Sequence, residues 1–466
     1  MEKEHIKGKA AVKFGSRLGF ILAAAGSAVG LGNIWRFPYL AAKYGGGVFL
    51  LIYIILAVTF GFTLMLTEIA IGRRTGKGVL GAYREVNSKF AFLGWGAAII
   101  PGLVLSYYCV IGGWVLKYTT MFFTGSGGAA AENVITEAGS ETPFFLDYIS
   151  HSASPTIFFV IYMLLNVVVI LLGVQKGIEK ISKVLMPALV LLILGISIYT
   201  TTLDGALDGV TYYLLPNFDD FTAEKLFKTI AAASSQLFYS MSISMGILVT
   251  YGSYMRKEDS LESSVRQIEI FDTGVALLAG LIIVPSVFAF SGGDHGSLDA
   301  GPGLMFITLP KVFVSMSAGN FIGAAFFVLV SLAALTSSIS LMETVVFAIM
   351  DKFRLSRVKS CIIVVIITLA LGMLSVLGYS DWSDVTLFGM QFLDFFDFIT
   401  NSVMMPILAL LTCILIGYVV KTKYVEEEVL HGEKKFSARG VYRIMIRFVC
   451  PVFMVIILVT PFFTDL

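Results

Sequence analysis

Charge is scarce in this chain. Of its 466 residues only 14% are Asp, Glu, Lys or Arg, against about 25% in an ordinary soluble domain. That is too little to cover a water-facing surface. Positive and negative charges nearly cancel, leaving a net +1, so the general basic character of a nucleic-acid-binding protein is excluded. The four cysteines (Cys109, Cys361, Cys413, Cys450) are far apart and make no C-x-x-C pair, which argues against a zinc site or disulfide framework. They read as small buried hydrophobes. The four histidines (His5, His151, His295, His431) all fall outside the apolar runs, so a haem site or an intramembrane histidine relay is not expected. What is abundant is apolar: 57% hydrophobic residues, 38 Phe and 45 Gly, with a mean hydropathy of +0.86. This is the composition of helices packed in lipid, where small residues let backbones approach.

A membrane-spanning helix needs about 20 apolar residues. Spans are expected near 18–41, 46–71, 91–123, 156–174, 184–202, 228–255, 268–290, 320–350, 360–379, 388–420 and 441–462, eleven in all. The fold class is therefore an all-α polytopic membrane protein. The first sixteen residues are charged and no small-residue cleavage site follows, so the first helix is expected to be retained. Lys and Arg recur in alternate connections, from Lys3–Arg17, through Arg73–Lys89, Lys176–Lys183, Arg256–Arg266 and Lys352–Lys359, to Lys421–Arg443. The connection 124–155 has acids but no Lys or Arg. The positive-inside bias places the N-terminus in the cytoplasm and the C-terminus outside the cell membrane.

Two spans are interrupted. The first carries Gly26-Ser27-Ala28-Val29-Gly30-Leu31-Gly32-Asn33, and the sixth carries Ser240-Met241-Ser242-Ile243-Ser244-Met245-Gly246. Breaks in corresponding positions predict two inverted five-helix repeats, 12–202 and 225–421, followed by an additional helix at 441–462, with a binding site at the breaks. An unpaired backbone group in lipid costs several kcal/mol, so unwound segments must face a cavity or ligand. Freed carbonyls suit a hard cation, and half-helix N-termini suit an anion. Further polar groups lie deep in the spans: Thr336-Ser337-Ser338, Asp272, Glu68, Asp394, Asp397 and Arg36. Intramembrane carboxylates are candidates for function, though Glu68 and Asp394 fit a structural hydrogen-bonding role equally well.

These residues resemble the neurotransmitter:sodium symporter family, which has the leucine-transporter fold. The matching stretches are Ser16-Arg17-Leu18-Gly19-Phe20, Gly26 through Pro38 (GSAVGLGNIWRFP), Gly45-Gly46-Gly47, Ser106-Tyr107-Tyr108, Thr250-Tyr251-Gly252-Ser253-Tyr254 and Leu335-Thr336-Ser337-Ser338. The resemblance is greatest to the eleven-helix bacterial amino-acid transporters. It implies two sodium sites: the first from Ala28, Asn33, Ser240, Asp272 and the substrate carboxylate, the second from Gly26, Val29, Ala333, Thr336 and Ser337. It also implies a substrate pocket formed by Ser27, Ala28, Gly30, Leu31, Gly32, Val104, Tyr108, Phe238, Tyr239, Ser240, Ser242, Met245, Ser337 and Leu341. Tyr108 and Tyr239 would form an outer lid, with Arg36 bridging to Asp397, while Ser253, Tyr254, Glu343 and Asp351 would form the inner gate. Gly177 and Pro187 match a family pattern linked to opening a water path from the cytoplasm.

Two departures stand out. Ala11 aligns with the family's usual inner-gate Arg, leaving Lys9 or Lys13 as substitutes, and Ser244 replaces a glycine in the second break. The expected function is sodium-coupled import of apolar amino acids, aliphatic and aromatic, by alternating access, with Asp272 supplying the negative charge that chloride supplies elsewhere in the family. The alternatives are a non-transporting amino-acid sensor and an amino-acid-gated channel. No Ser-His or paired-Asp arrangement at membrane depth supports a hydrolase, so no enzymatic activity is expected. The expected partners are a hydrophobic L-amino acid and the lipid bilayer, with no nucleic acid.

Overall fold

The computed structural model describes residues 13–135, 140–219, 221–291 and 301–460. By length and composition, eight helices among these residues are apolar enough to cross a membrane, or nine if a bent pair counts as one span. The bent pair is α1 (Arg17–Ala28) and α2 (Gly32–Lys43), which meet at 55°. Then follow α3 (Gly47–Thr75), α4 (Ser88–Phe123), and the stretch Ala153–Thr201. Gly173, at φ 83, divides that stretch into α5 (Ala153–Gly173) and, after a wide turn over Val174–Glu179, α6 (Lys180–Thr201). The second interrupted region comprises α7 (Ala223–Ser240) and α8 (Ile247–Tyr254). The later spans are α9 (Leu261–Phe290), α10 (Gly319–Phe353), α11 (Arg357–Tyr379), α12 (Phe392–Val419) and α13 (Arg439–Val459).

Local chemistry sets several boundaries. Ser16 caps α1 by accepting a hydrogen bond from Gly19 N at 3.0 Å, and Thr222 and Ser356 cap α7 and α11 in the same way. Each cap satisfies one of the N–H groups that a helix start leaves unpaired. The connection after α4 holds a small antiparallel pair, Asn133–Ile135 with Glu141–Pro143, which the hydropathy pattern does not foretell. Outward-facing apolar residues such as Ile362 and Ile366 of α11, 53% and 61% exposed, give the exterior expected in lipid. All four cysteines are buried thiols.

The core places α1 at the centre. It packs against α6, α9 and α10, while α10 runs along α4 and α8 lies against the second half of α3. The α3–α8 contact is made by backbone meeting backbone. A Cβ on Gly72 would lie 1.9 Å from Val249 O, and one on Gly252 would lie 2.4 Å from Ile69 O. Only glycine fits there, for the close-approach reason that favours small residues between membrane helices. Gly252→Val is therefore expected to destabilise the protein by about 1–3 kcal/mol or more through overpacking, seen as a lowered Tm or loss of monodisperse protein in detergent. A Tm equal to wild type would show that α3 and α8 can separate freely.

Candidate functional site

The first break frees its backbone. Helix α1 ends at Ala28, Val29 is extended (φ −73, ψ 103), and the chain resumes as helix at Gly32. The unpaired carbonyls turn toward α10, where the Ser337 hydroxyl lies 3.3, 3.1 and 3.1 Å from the oxygens of Gly26, Ser27 and Val29. The freed amides find side-chain oxygens. Leu31 N donates to Tyr108 OH at 3.2 Å and Gly30 N to Asn33 Oδ1 at 3.0 Å. Gln236 Nε2 holds the Gly32 carbonyl at 2.9 Å.

The second break turns sharply because three residues take left-handed conformations, Ser242 (φ 53), Ser244 (φ 64) and Gly246 (φ 69). Serine at the second of these positions keeps the backbone path that glycine would give, at a steric cost. The buried carboxylate of Glu68, on α3, accepts from Ser244 N at 2.7 Å. Ser242 Oγ donates to Ser27 O at 3.0 Å and so joins the two breaks. Glu68 therefore pins the second break, whereas Asp394 accepts from Tyr379 OH at the start of α12.

The residues expected at the first sodium site come together. Asn33 Nδ2 donates to Asp272 Oδ1 at 2.7 Å, Ser240 Oγ donates to the same oxygen at 2.9 Å, and Ala28 shares a cavity wall with Asn33 and Ser240. Asp272 Oδ2 makes no hydrogen bond of good geometry among the described residues, with the buried Tyr53 hydroxyl its neighbour. A carboxylate oxygen with spare acceptor capacity beside hydroxyl and amide groups suits a small hard cation. The second set also converges. Ser337 reaches the Gly26 and Val29 carbonyls, Thr336 Oγ1 lies 3.0 Å from Ala333 O, and a Cβ on Gly26 would lie 3.1 Å from Thr336 Cβ.

Between the two sets lies a cavity of about 30 Å³. Water needs about 10–15 Å³ on this measure, so the cavity is contracted and its walls must part to admit an amino acid. Its lining includes every expected pocket residue except Phe238: Ser27, Ala28, Gly30, Leu31, Gly32, Val104, Tyr108, Tyr239, Ser240, Ser242, Met245, Ser337 and Leu341, together with Asn33 and Ile247. Phe238 is buried in α7 but off the wall, because the helix gives that face to Tyr239 and Ser240. Ile247, at the start of α8, lies beyond the polar stretch that marked the break in sequence.

The gates differ in detail from expectation. Tyr108 and Tyr239 do cover the first break: a Cβ on Gly30 would lie 2.9 Å from Tyr108 OH, and one on Gly32 would lie 2.8 Å from the Tyr239 ring. Arg36, however, makes no ion pair with Asp397 within 4.0 Å among the described residues. Its guanidinium lies 5.6 Å from the Tyr239 ring centroid and donates to Ser235 Oγ at 3.2 Å, while Asp397 accepts from Asn401 one turn along its own helix. At the end expected to face inward, Tyr254 OH donates to Glu343 Oε1 at 2.8 Å, and Glu343 is ion-paired with Arg357, a partner that the linear sequence did not suggest. Asp351 lies instead beside Gly78 and Gly81. Ser253 offers its carbonyl to Lys13 Nζ at 2.8 Å, so Lys13 meets backbone rather than an acid. Lys9 and Ala11 lie outside the described residues.

Two interrupted helices beside a buried cavity lined by freed backbone, hydroxyl and amide groups are the arrangement of a membrane transporter. The chain belongs to the sodium:neurotransmitter symporter family, whose model matches residues 12–142 and 145–464. It is similar to the uncharacterized sodium-dependent transporter YhdH of Bacillus subtilis (strain 168), 35% identical over 96% of both chains. It also resembles an uncharacterized sodium-dependent transporter of Haemophilus influenzae, 31% identical over 96% of this chain and 97% of that one. Among solved structures, MhsT in complex with L-phenylalanine superposes with a TM-score of 0.84 at 34% identity, covering 96% of this chain and 98% of that one. The protein is thus a multi-pass, sodium-dependent transporter with the leucine-transporter fold and not an enzyme.

The left-handed Ser244 generates a prediction. Ser244→Gly is expected to relieve backbone strain while retaining the Glu68 bond to the amide, stabilising the fold by about 0.5–1 kcal/mol. A lower Tm than wild type would show that the hydroxyl, 3.5 Å from Glu68 Oε1, outweighs the strain.

Proposed function

We propose that the protein imports apolar L-amino acids, aliphatic and aromatic, with sodium bound at two sites, by alternating access and without chloride. The observation that carries this reading is the polarity of the cavity. The Gly30 and Leu31 amides and the Tyr108 hydroxyl gather at the first break, while Val104, Met245, Ile247 and Leu341 provide an apolar wall. A carboxylate suits the first end, an uncharged side chain the second, and methionine repacks around different shapes. The complex of MhsT with L-phenylalanine supports the same substrate class.

The substrate carboxylate completes the first sodium site, built from Ala28, Asn33, Ser240 and Asp272, and each species then raises the affinity for the other. Gly26, Val29, Ala333, Thr336 and Ser337 hold the second sodium and fasten α1 to α10. Tyr108, Tyr239 and Arg36 close the outer side, and Asp397 joins them only when the outer path closes further. Ser253, Tyr254, Glu343 and Asp351 guard the inner side. The remaining proposals are eleven crossings, inverted repeats at 12–202 and 225–421, an additional helix at 441–462, and a cell-membrane location with the N-terminus inside and the C-terminus outside.

Equilibrium binding of radiolabelled Leu, Phe, Tyr and Trp, in sodium against choline, tests this function. Asn33→Ala and Thr336→Ala are each expected to weaken sodium-dependent binding by about tenfold, the loss of roughly one charge-assisted contact. Unchanged affinity and sodium dependence in both variants would refute the sites, and Lys or Glu as the tightest ligand would refute the substrate class. Uptake into proteoliposomes separates a transporter from a sensor, and substrate-gated current without accumulation would mark a channel.

Chloride independence rests on the permanent charge of Asp272. Wild-type uptake is expected to persist when gluconate replaces chloride, whereas Asp272→Asn should transport poorly there and recover with added chloride. Wild-type collapse in gluconate would overturn the proposal; full chloride-free activity of the variant would assign the charge to another group.

A further inference from the structure

The run Thr336-Ser337-Ser338 carries three consecutive hydroxyls, and the second sodium site proposed above uses only the first two. Each residue of an α-helix is turned about 100° from the last, so Ser338 points away from the cavity, to the back of α10. Its partners there come from α5. Ser338 Oγ donates to Asn166 Oδ1 at 2.7 Å, with the Leu335 carbonyl of its own helix farther off at 3.2 Å. The serine's single proton is thereby used, so the Tyr162 hydroxyl, 3.0 Å away, donates to Ser338. Asn166 Nδ2 completes the set by donating to the Tyr162 carbonyl at 2.9 Å.

An amide is costly to keep inside a membrane span. Between Ile157 and Leu172 the other residues of α5 are apolar, Tyr162 apart, and Asn166, Ser338 and Tyr162 are 0%, 0% and 2% exposed. Satisfied by one another, buried polar groups of this kind fix a single packing arrangement. The trio bears on two walls of the cavity. A Cβ on Gly112 would lie 2.4 Å from the Tyr162 ring, so the ring rests against α4 one turn beyond Tyr108. Through Ser338 the trio also holds α10 immediately beside Ser337, whose hydroxyl faces the carbonyls of Gly26, Ser27 and Val29. Any rotation of α10 about its axis would move the Thr336 and Ser337 hydroxyls relative to α1.

We propose that Asn166 and Tyr162 are positioning residues for the second sodium site: bonded to Ser338, they fix the rotation of α10 that aims Thr336 and Ser337 at the α1 carbonyls. The proposal deepens the two-sodium reading above and rests on it. Neither residue touches ion or substrate. Groups behind the ligands of a metal commonly govern its affinity by about 10–100-fold.

Equilibrium binding of radiolabelled L-phenylalanine to the purified full chain, titrated with sodium, tests it. Asn166→Leu, close in volume but without hydrogen-bonding groups, and Ser338→Ala are each expected to raise the half-saturating sodium concentration about tenfold. Phenylalanine affinity at saturating sodium should stay within about twofold of wild type, a separation that partial unfolding would not give. Because both changes cut the same bond, the double variant should shift no further than either single one. Shifts below about twofold in both single variants, or an equal loss of phenylalanine affinity at saturating sodium, overturn the positioning role. Additive shifts in the double variant overturn the route through Ser338. Should Asn166→Leu fail to fold, Tyr162→Phe, which deletes one hydroxyl and keeps the ring against Gly112, takes its place in the cycle against the same outcomes. Wild-type binding that ignores sodium would overturn the sodium reading and this proposal together. Sodium-dependent binding weakened by Thr336→Ala but not by Asn166→Leu would overturn the positioning alone.

Discussion

A helix interrupted inside a membrane leaves amides and carbonyls that lipid cannot satisfy, and the architecture answers that constraint. At the first break Ser337 faces three carbonyls, Tyr108 and Asn33 take the amides, and Gln236 takes the Gly32 carbonyl. At the second, Glu68 accepts the Ser244 amide. These partners come from α2, α3, α4, α7 and α10. The packing of those helices around α1 is therefore inseparable from the existence of the breaks.

The same groups that stabilise the breaks form the proposed sites. A hydroxyl shared among several carbonyls, as Ser337 is, marks a concentration of oxygen ligands that sodium can exploit. The Asp272–Asn33–Ser240 cluster does the same from α9, α2 and α7, its second carboxylate oxygen keeping acceptor capacity beside Tyr53. Coupling between ion and substrate then needs no distant pathway. A carboxylate placed at the first break touches both the unwound amides and the cation, so each ligand's affinity depends on the other.

The proposed gates follow a different logic at the two ends. At one, Arg36 is spread over the Tyr239 ring and Ser235, interactions that can be exchanged at small cost. At the other, Glu343 is buried and bound to both Tyr254 and Arg357, and removing Arg357 alone would leave an uncompensated buried charge. Lys13 uses carbonyls at the end of α8, where a helix C-terminus attracts positive charge.

Much of this was legible in the sequence. Hydropathy marked the chain as a bundle of membrane-spanning helices, and the polar, glycine-rich runs at 26–33 and 240–246 located both breaks, because a membrane allows few reasons for such residues at that depth. The motif residues identified nearly all of the cavity wall. Four features were decided only by tertiary structure. Phe238 turned away because helix phase gives the wall to its neighbours. Ile247 entered because the chain reverses through left-handed residues just before it. Arg357, which the sequence showed only as one basic residue among several in its connection, found Glu343 across a loop, and Arg36 bonds Ser235 and lies over Tyr239 while beyond ion-pair distance of Asp397. Hydrophobic length and local backbone demands are properties of a few neighbouring residues, so a sequence displays them. The partner of a charged side chain depends on which helices meet and at what rotation, and only the packed bundle determines that.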